Sequence, residues 1–190
     1  MELTPLSIEG AWLAKSPIYE DNRGTFREWF KSEDLNLKSG LNFQVAQSNL
    51  STNQIGVLRG IHFSLSTNGQ AKWVTCVTGK IIDVVVDIRI GSSTFGKHEI
   101  LELSGGDGMS VYVGKGLGHS FLSLEHQTVV SYLLDSPYSP KDEYVINPFD
   151  ENLDIEWGRY LPKNVNYILS EKDLAGESFC NLLEKGKLPR

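Results

Sequence analysis

Eleven short runs, apolar or alternating apolar with polar and each bounded by turn-forming residues, set the limits on what this chain can fold into. They fall at residues 10–19, 25–30, 43–50, 57–63, 72–78, 80–89, 98–103, 109–113, 119–124, 128–134 and 143–146. Runs this short and this closely spaced predict antiparallel strands closed into a sandwich or barrel. Thr78-Gly79-Lys80 reads as a tight hairpin joining two of them. Helical signals are confined to residues 31–38, with Glu33 and Asp34 in the first turn, and 177–185, where Phe179, Leu182 and Leu183 form an apolar stripe. The expected fold is all-β with short peripheral helices. A length of 190 residues suits one sizeable core, so one domain over 1–190 with terminal extensions is expected.

Charged residues interrupt this apolar pattern in a particular way. Along 81–89, alternation puts Ile82, Val84, Val86 and Ile88 on one face, and Ile81, Asp83, Val85, Asp87 and Arg89 on the other. The same count groups Lys72 with Val74 and Cys76, and Tyr132 with Val130 and Leu134. Arg59 and His62 lie in a neighbouring run. An ionised side chain taken out of water without a partner loses several kcal/mol, roughly, so such groups persist when they pair, bind a ligand or do chemistry. The plainer alternatives are that Asp83 pairs with Arg59, that His62 and Tyr132 are satisfied core residues, and that Lys72 is a solvated edge charge.

Composition removes several function classes. A formal charge of −6 gives neither nucleic acid nor an anionic membrane surface an electrostatic attraction. No run of about 18 apolar residues occurs, and the first five residues show neither a basic region nor a long apolar stretch. Two cysteines cannot make a disulfide framework, and Cys76 falls in an apolar strand pattern where a buried thiol is expected. A reducing, cytoplasmic setting is the expectation. None of His62, His98, His119 and His126 lies two or three residues from another, so no metal is expected. No serine or cysteine sits in a nucleophile elbow, and Gly105-Gly106-Asp107-Gly108 lacks the following helix of a phosphate cradle. General acid–base chemistry remains. A histidine can take a proton from a carbon next to a carbonyl if a cation meets the charge that builds on oxygen. His62, Lys72 and a tyrosine could divide that work.

An ordered set of motifs then narrows the reading. It comprises Asp21-Asn-Arg-Gly-Thr-Phe-Arg-Glu28, Gln47-Ser-Asn49, Gly56-Val-Leu-Arg-Gly-Ile-His62, Gln70-Ala-Lys72, Gly79 through Asp83 to Arg89, and Gly91-Ser-Ser-Thr-Phe-Gly96. It continues with Gly118-His119, Tyr132, Tyr138-Ser-Pro140 and Leu169-Ser-Glu-Lys-Asp173. In these the chain resembles the dTDP-4-dehydrorhamnose 3,5-epimerase family, nucleotide-sugar epimerases of the cupin class. The resemblance implies a jelly-roll barrel, no cofactor, and inversion of C3 and C5 of dTDP-4-keto-6-deoxyglucose through an enolate. It implies His62 as the base with Asp173 behind it, Lys72 at the C4 oxygen, and Tyr132 as the acid on the other face. Arg23 and Arg59 correspond to diphosphate partners, Glu28, Gln47 and Asn49 to nucleoside contacts, and Tyr138 to the aromatic on thymine. Phe26, His119, Glu143 and Lys172 match further substrate-contacting positions, and Asp83 is a candidate supporting member of the network. A homodimer with exchanged amino-terminal strands is also implied, in which Arg23 and Glu28 serve the second copy's site.

Two departures bear on the product. Phe63-Ser64 follows Ile61-His62 where many members carry Tyr-Gln, and Gly116-Leu-Gly-His-Ser-Phe121 stands where Gly-Phe-Ala-His-Gly-Phe is common. Both are expected to line the sugar end of the site. Inversion of one carbon only, or of a related nucleotide keto-sugar, is therefore an alternative. So are a ketoisomerase, a metal-dependent cupin oxygenase and a non-enzymatic nucleotide-sugar-binding cupin.

Overall fold

A strand apolar on both faces has to lie between two covering layers, and the segment from Ile81 to Ile88 is such a strand. In the computed structural model, which describes all of residues 1–190, every residue of that segment is buried. In chain order the strands are β1 (Glu2–Pro5), β2 (Ala11–Lys15), β3 (Tyr19–Asp21), β4 (Gly24–Phe26), β5 (Gln47–Asn53), β6 (Leu58–Ser64) and β7 (Lys72–Thr78). They continue with β8 (Lys80–Asp87), β9 (His98–Ser104), β10 (Met109–Val113), β11 (Leu117–Ser123), β12 (Thr128–Leu134) and β13 (Glu143–Val145). Helices α1 (Ser32–Ser39), α2 (Glu171–Leu174) and α3 (Phe179–Glu184) are short, and one 3-10 turn covers Trp157–Arg159.

Two antiparallel sheets face each other. One has the order β1-β2-β10-β7-β12-β5, the other β13-β6-β11-β8-β9, while β3 and β4 form a separate hairpin. This is the jelly-roll barrel, with strands handed from one sheet to the other instead of forming a simple meander. The space between the sheets is filled by Val74, Cys76, Val111 and Val130 from the first and by Ile81, Val85, Leu103 and Phe121 from the second. Burial pushes the Cys76 thiol up to about 12, so it behaves as a small apolar residue.

Each sheet's outer face has its own cover. Leu153, Ile155, Trp157, Phe179 and Leu182 from the carboxy-terminal third close over Ile82, Val84, Val86 and Ile88. On the first sheet, Leu35 of α1 and the rings of Phe30 and Phe43 close over Trp73 and Tyr112. The two faces expected from alternation along β8 are thus both core faces, one between the sheets and one beneath the carboxy-terminal cover.

Several local expectations are corrected. Thr78-Gly79-Lys80 is not a hairpin, because β7 and β8 belong to different sheets. Gly79 has φ +79°, and a Cβ there would stand 2.4 Å from Thr128 Oγ1. The link is a corner that only glycine allows. Residues 10–19 split into β2 and β3 around Ser16-Pro17. Strand structure in 25–30 stops at Phe26, since Trp29 and Phe30 are used to cover the sheet. The expected run 43–50 begins only at Gln47 and extends to Asn53, Phe43 being occupied under α1. β1 and α2 had no expected counterpart. No helix is long and apolar enough to cross a membrane.

Candidate active site

Strict alternation along β6 would send Arg59 and His62 to opposite faces, yet both line one cavity. The cause is a bulge. Across the β6–β11 pair His119 stands opposite His62 and Phe121 opposite Arg59, so Gly60 and Ile61 together face Ser120 alone. Gly60 makes this possible with φ +110°, and a Cβ on it would lie 2.5 Å from the His119 carbonyl oxygen. Ser120, fully buried, donates its hydroxyl to the Arg59 carbonyl at 2.7 Å across the bulge.

The cavity, about 470 Å³, opens between the two sheets at one end of the barrel. Arg59 and His62 from β6, His119 and Phe121 from β11 and Glu143 from β13 form one wall. Lys72 from β7, Tyr132 and Leu134 from β12, and Gln47 and Asn49 from β5 form the opposite wall. His62 and Tyr132 therefore reach the same space from different sheets. Tyr138, in the loop after β12, stands at the rim, its amide donating to Gln47 Oε1 at 2.8 Å.

Two carboxylate–histidine pairs support this wall. His62 Nε2 lies 2.6 Å from Asp173 Oδ1, and His119 Nε2 lies 2.8 Å from Asp83 Oδ2. Asp173 is buried and arrives on the single turn of α2. Ser170 caps that turn, accepting from the Asp173 amide at 3.1 Å and donating its hydroxyl to Oδ2 at 2.8 Å. Burial opposes ionisation of Asp173, but hydrogen bonds from His62, Ser170 and the Gly60 amide outweigh it and hold the carboxyl below the usual range. With Nε2 of His62 engaged, Nδ1 is the ring nitrogen left free to exchange a proton.

On the opposite wall burial acts on both ionisable groups. It lowers the Lys72 ammonium from its ordinary value, with Glu143 and Asp83 opposing and Lys172 reinforcing the shift. It raises the Tyr132 phenol, with Glu143 assisting and Arg59 and Asn49 opposing. Tyr132 is thus held protonated, as an acid must be. At the rim Lys172 Nζ lies 3.5 Å from Glu143 Oε1 and 5.9 Å from the centre of the Tyr138 ring.

Not every expected residue gathers here. Arg23, Phe26 and Glu28 are exposed on and just after the β3–β4 hairpin and do not line the cavity. The Arg23 guanidinium is engaged by Asp21 at 2.6 Å. Asp83 does not pair with Arg59, whose Nε donates to Asn53 Oδ1 at 2.9 Å instead. The departures, expected to line the sugar end, do not line the cavity at all. The Phe63 ring packs on Tyr144 at 5.7 Å, away from the cavity, and neither Ser64, Leu117 nor Ser120 lines it. Gln70 does line it, although it was read only as part of a motif. The supports of Asp173, Ser170 and the Gly60 amide, were also not anticipated. Ser170-x-x-Asp173 is a capping pattern and Gly60 a glycine inside a strand, signals available in the sequence. No three His, Cys, Asp or Glu side chains gather so as to hold a metal ion.

A histidine and a tyrosine facing each other across one cavity of a jelly-roll barrel are compatible with a proton-exchanging isomerase of the cupin class. Residues 5–181 match the profile of the dTDP-4-dehydrorhamnose 3,5-epimerase family, and the chain belongs to that family. It is 41% identical over 189 residues to the dTDP-4-dehydrorhamnose 3,5-epimerase of Mycolicibacterium smegmatis, covering 100% of this chain and 91% of that one. Among solved structures it resembles the rmlC epimerase of Mycobacterium tuberculosis, with TM-score 0.95 and 39% identity over 100% of this chain and 94% of the other. It also resembles ChmJ, a 3'-monoepimerase from Streptomyces bikiniensis in complex with dTDP-quinovose, with TM-score 0.91 and 42% identity over 97% and 91% of the two chains.

Proposed function

We propose that this protein inverts both C3 and C5 of dTDP-4-keto-6-deoxyglucose, without a cofactor, in deoxysugar biosynthesis of the dTDP-rhamnose type. The observation that carries the reading is the delivery of His62 and Tyr132 to one cavity from opposite sheets. A single residue returning its own proton to the same face restores the starting configuration. An acid on the far side is what inversion requires.

In this reading His62 Nδ1 takes the proton from the carbon beside the C4 carbonyl, and Asp173 stabilises the imidazolium that forms. The electron pair passes to the C4 oxygen, where the Lys72 ammonium meets the developing charge. Tyr132 delivers a proton to the opposite face; once solvent has reprotonated Tyr132 and taken the proton from His62, repetition at the second carbon completes the 3,5-epimer. Arg59 with His119 receives the diphosphate, a role to which a planar guanidinium is suited. Gln47, Asn49 and Tyr138 hold the nucleoside, while Glu143 and Lys172 close the rim.

The same reading makes residues 1–190 one catalytic unit working as a homodimer in the cytoplasm. Exposed Tyr19 and Phe26 on the β3–β4 hairpin support an exchange of amino-terminal strands that carries Arg23, Phe26 and Glu28 to the second copy's nucleotide. A one-carbon inversion is the second reading, favoured by the likeness to the Streptomyces 3'-monoepimerase.

Incubation with the 4-keto-6-deoxyglucose nucleotide in deuterated water, followed by NMR, tests this. Deuterium at C3 and C5 is expected, deuterium at one carbon supports the second reading, and none rejects both. His62→Ala is expected to abolish exchange, and Tyr132→Phe to spare some exchange while impairing inversion. Wild-type exchange in the His62 variant would remove that residue from its role.

A further inference from the structure

Asp83 has no exposure and shares its face of β8 with Ile81 and Val85 in the core between the sheets. Only one of its oxygens is hydrogen-bonded, Oδ2 to His119 Nε2 at 2.8 Å, while Oδ1 is buried without a protein partner. A carboxylate in such surroundings is costly, and packing alone would be better served by an apolar residue of similar size. Its charge therefore needs a use. The groups around it supply one, because His119 and Lys72 both line the cavity.

We propose that Asp83 is a positioning residue between two parts of the cavity, fixing His119 of the diphosphate end through Oδ2 and holding the half-buried Lys72 side chain at the enolate-oxygen end as an ammonium ion. The proposal rests on the reading that Lys72 meets the enolate oxygen. Lys72 faces negative charge from Glu143 on β13 and Asp83 on β8 and positive charge from Lys172 on α2; Arg59 on β6 lines the same cavity. His62, His119, Tyr132 and Tyr138 are the other titratable groups around the cavity. Burial works against the ammonium, while Asp83 and Glu143 work for it. Two carboxylates share this task, and Asp83 is the one with no solvent to screen it.

The alkaline side of the activity profile reports this directly. Burial lowers Lys72 from its ordinary value and raises Tyr132, so it draws the loss of the ammonium toward neutrality and the loss of the phenol proton away from it. Replacing Asp83 by asparagine keeps the shape and a hydrogen-bonding group but removes the charge. The alkaline limb of kcat for Asp83→Asn is then expected to move measurably to lower pH, with the acidic limb unmoved. Asp83→Glu, which keeps the charge, should lower kcat but leave the limb near its wild-type position, and it serves alone if the asparagine variant does not fold. An unmoved limb in Asp83→Asn, or a limb displaced downward in Asp83→Glu, overturns the proposal. Lys72→Ala separates the two layers. Retained exchange in that variant defeats the assignment of Lys72 itself, whereas lost exchange together with an unmoved limb in Asp83→Asn defeats only the role given to Asp83.

Discussion

Replacing Asp173 by asparagine tests how much of the proton abstraction depends on the residue behind the base. The carboxylate sits 2.6 Å from His62 Nε2, is buried, and does not line the cavity. Its hydrogen bond gains charge on both sides only once His62 has accepted a proton, so its loss falls on the transition state and not on substrate binding. A hydrogen bond to a charged group is worth about 1.5–3 kcal/mol, and about 1.4 kcal/mol corresponds to tenfold in rate. The expected fall in kcat is therefore about 10- to 150-fold, with KM within about twofold. The upper end is favoured by tautomerism. Ser170 donates to Oδ2, so an asparagine would keep its carbonyl there and turn its amide toward Nε2. That arrangement places the ring proton on Nδ1, the nitrogen that has to be free. Initial rates of deuterium incorporation by NMR over a range of substrate concentrations measure both constants. A rise in KM with kcat intact, or kcat within threefold of wild type, would refute the reasoning.

Two further outcomes follow from the supporting structure. Gly60→Ala places a Cβ 2.5 Å from the His119 carbonyl at φ +110°, so a cost of about 1–3 kcal/mol and a drop in Tm of several degrees are expected by thermal unfolding. Because the same bulge aims Arg59 and His62, exchange per folded molecule should fall too; unchanged exchange would mean that the bulge does not set their aim. Asp87 is buried, and although burial opposes its ionisation, Arg89, Ser92 and Thr94 hold its carboxyl well below the usual range. A depressed folded-state value stabilises above the unfolded value near 3.9 and is lost as pH falls through the folded one. Asp87→Asn should thus lower the urea midpoint most near neutrality, with the gap to wild type narrowing in acid, and a gap independent of pH would count against that origin.

The regular parts of the fold were legible where the covering layers match the period of the strand. β7, β10 and β12 begin and end where the pattern of their residues does. Legibility failed where tertiary structure overrides the period. β1 is a polar edge strand that pairs only with β2, and nothing in four mostly exposed residues distinguishes it from a loop. Trp29 and Phe30 look like strand residues because they are aromatic, yet they serve as a lid over Trp73. In the site, residue types were readable and partnerships were not. Asp83 had one candidate partner, Arg59, and which group it meets depends on register: Phe121 stands opposite both Asp83 and Arg59, leaving the carboxylate to His119.

The same register bears on whether one or both carbons are inverted. The departures at Phe63-Ser64 and Ser120 suggested a changed sugar end, yet these side chains face away from it. Phe63 belongs to the core under the carboxy-terminal cover, and the Ser120 hydroxyl is spent on the Arg59 carbonyl. Their contacts are with the strand that carries Arg59 and His62 and with the core, not with the cavity. With His62 as the proposed base and Tyr132 as the proposed acid on strands of opposite sheets, a second inversion requires the sugar to turn until its other carbon faces His62. The side chains that would allow or block that turn are those lining the cavity, Phe121 and Leu134 among them. Exchange at both carbons is the expectation that follows, and enlarging Leu134, which lines the cavity, to phenylalanine should do more to restrict deuterium incorporation to one carbon than the departures around His119 do.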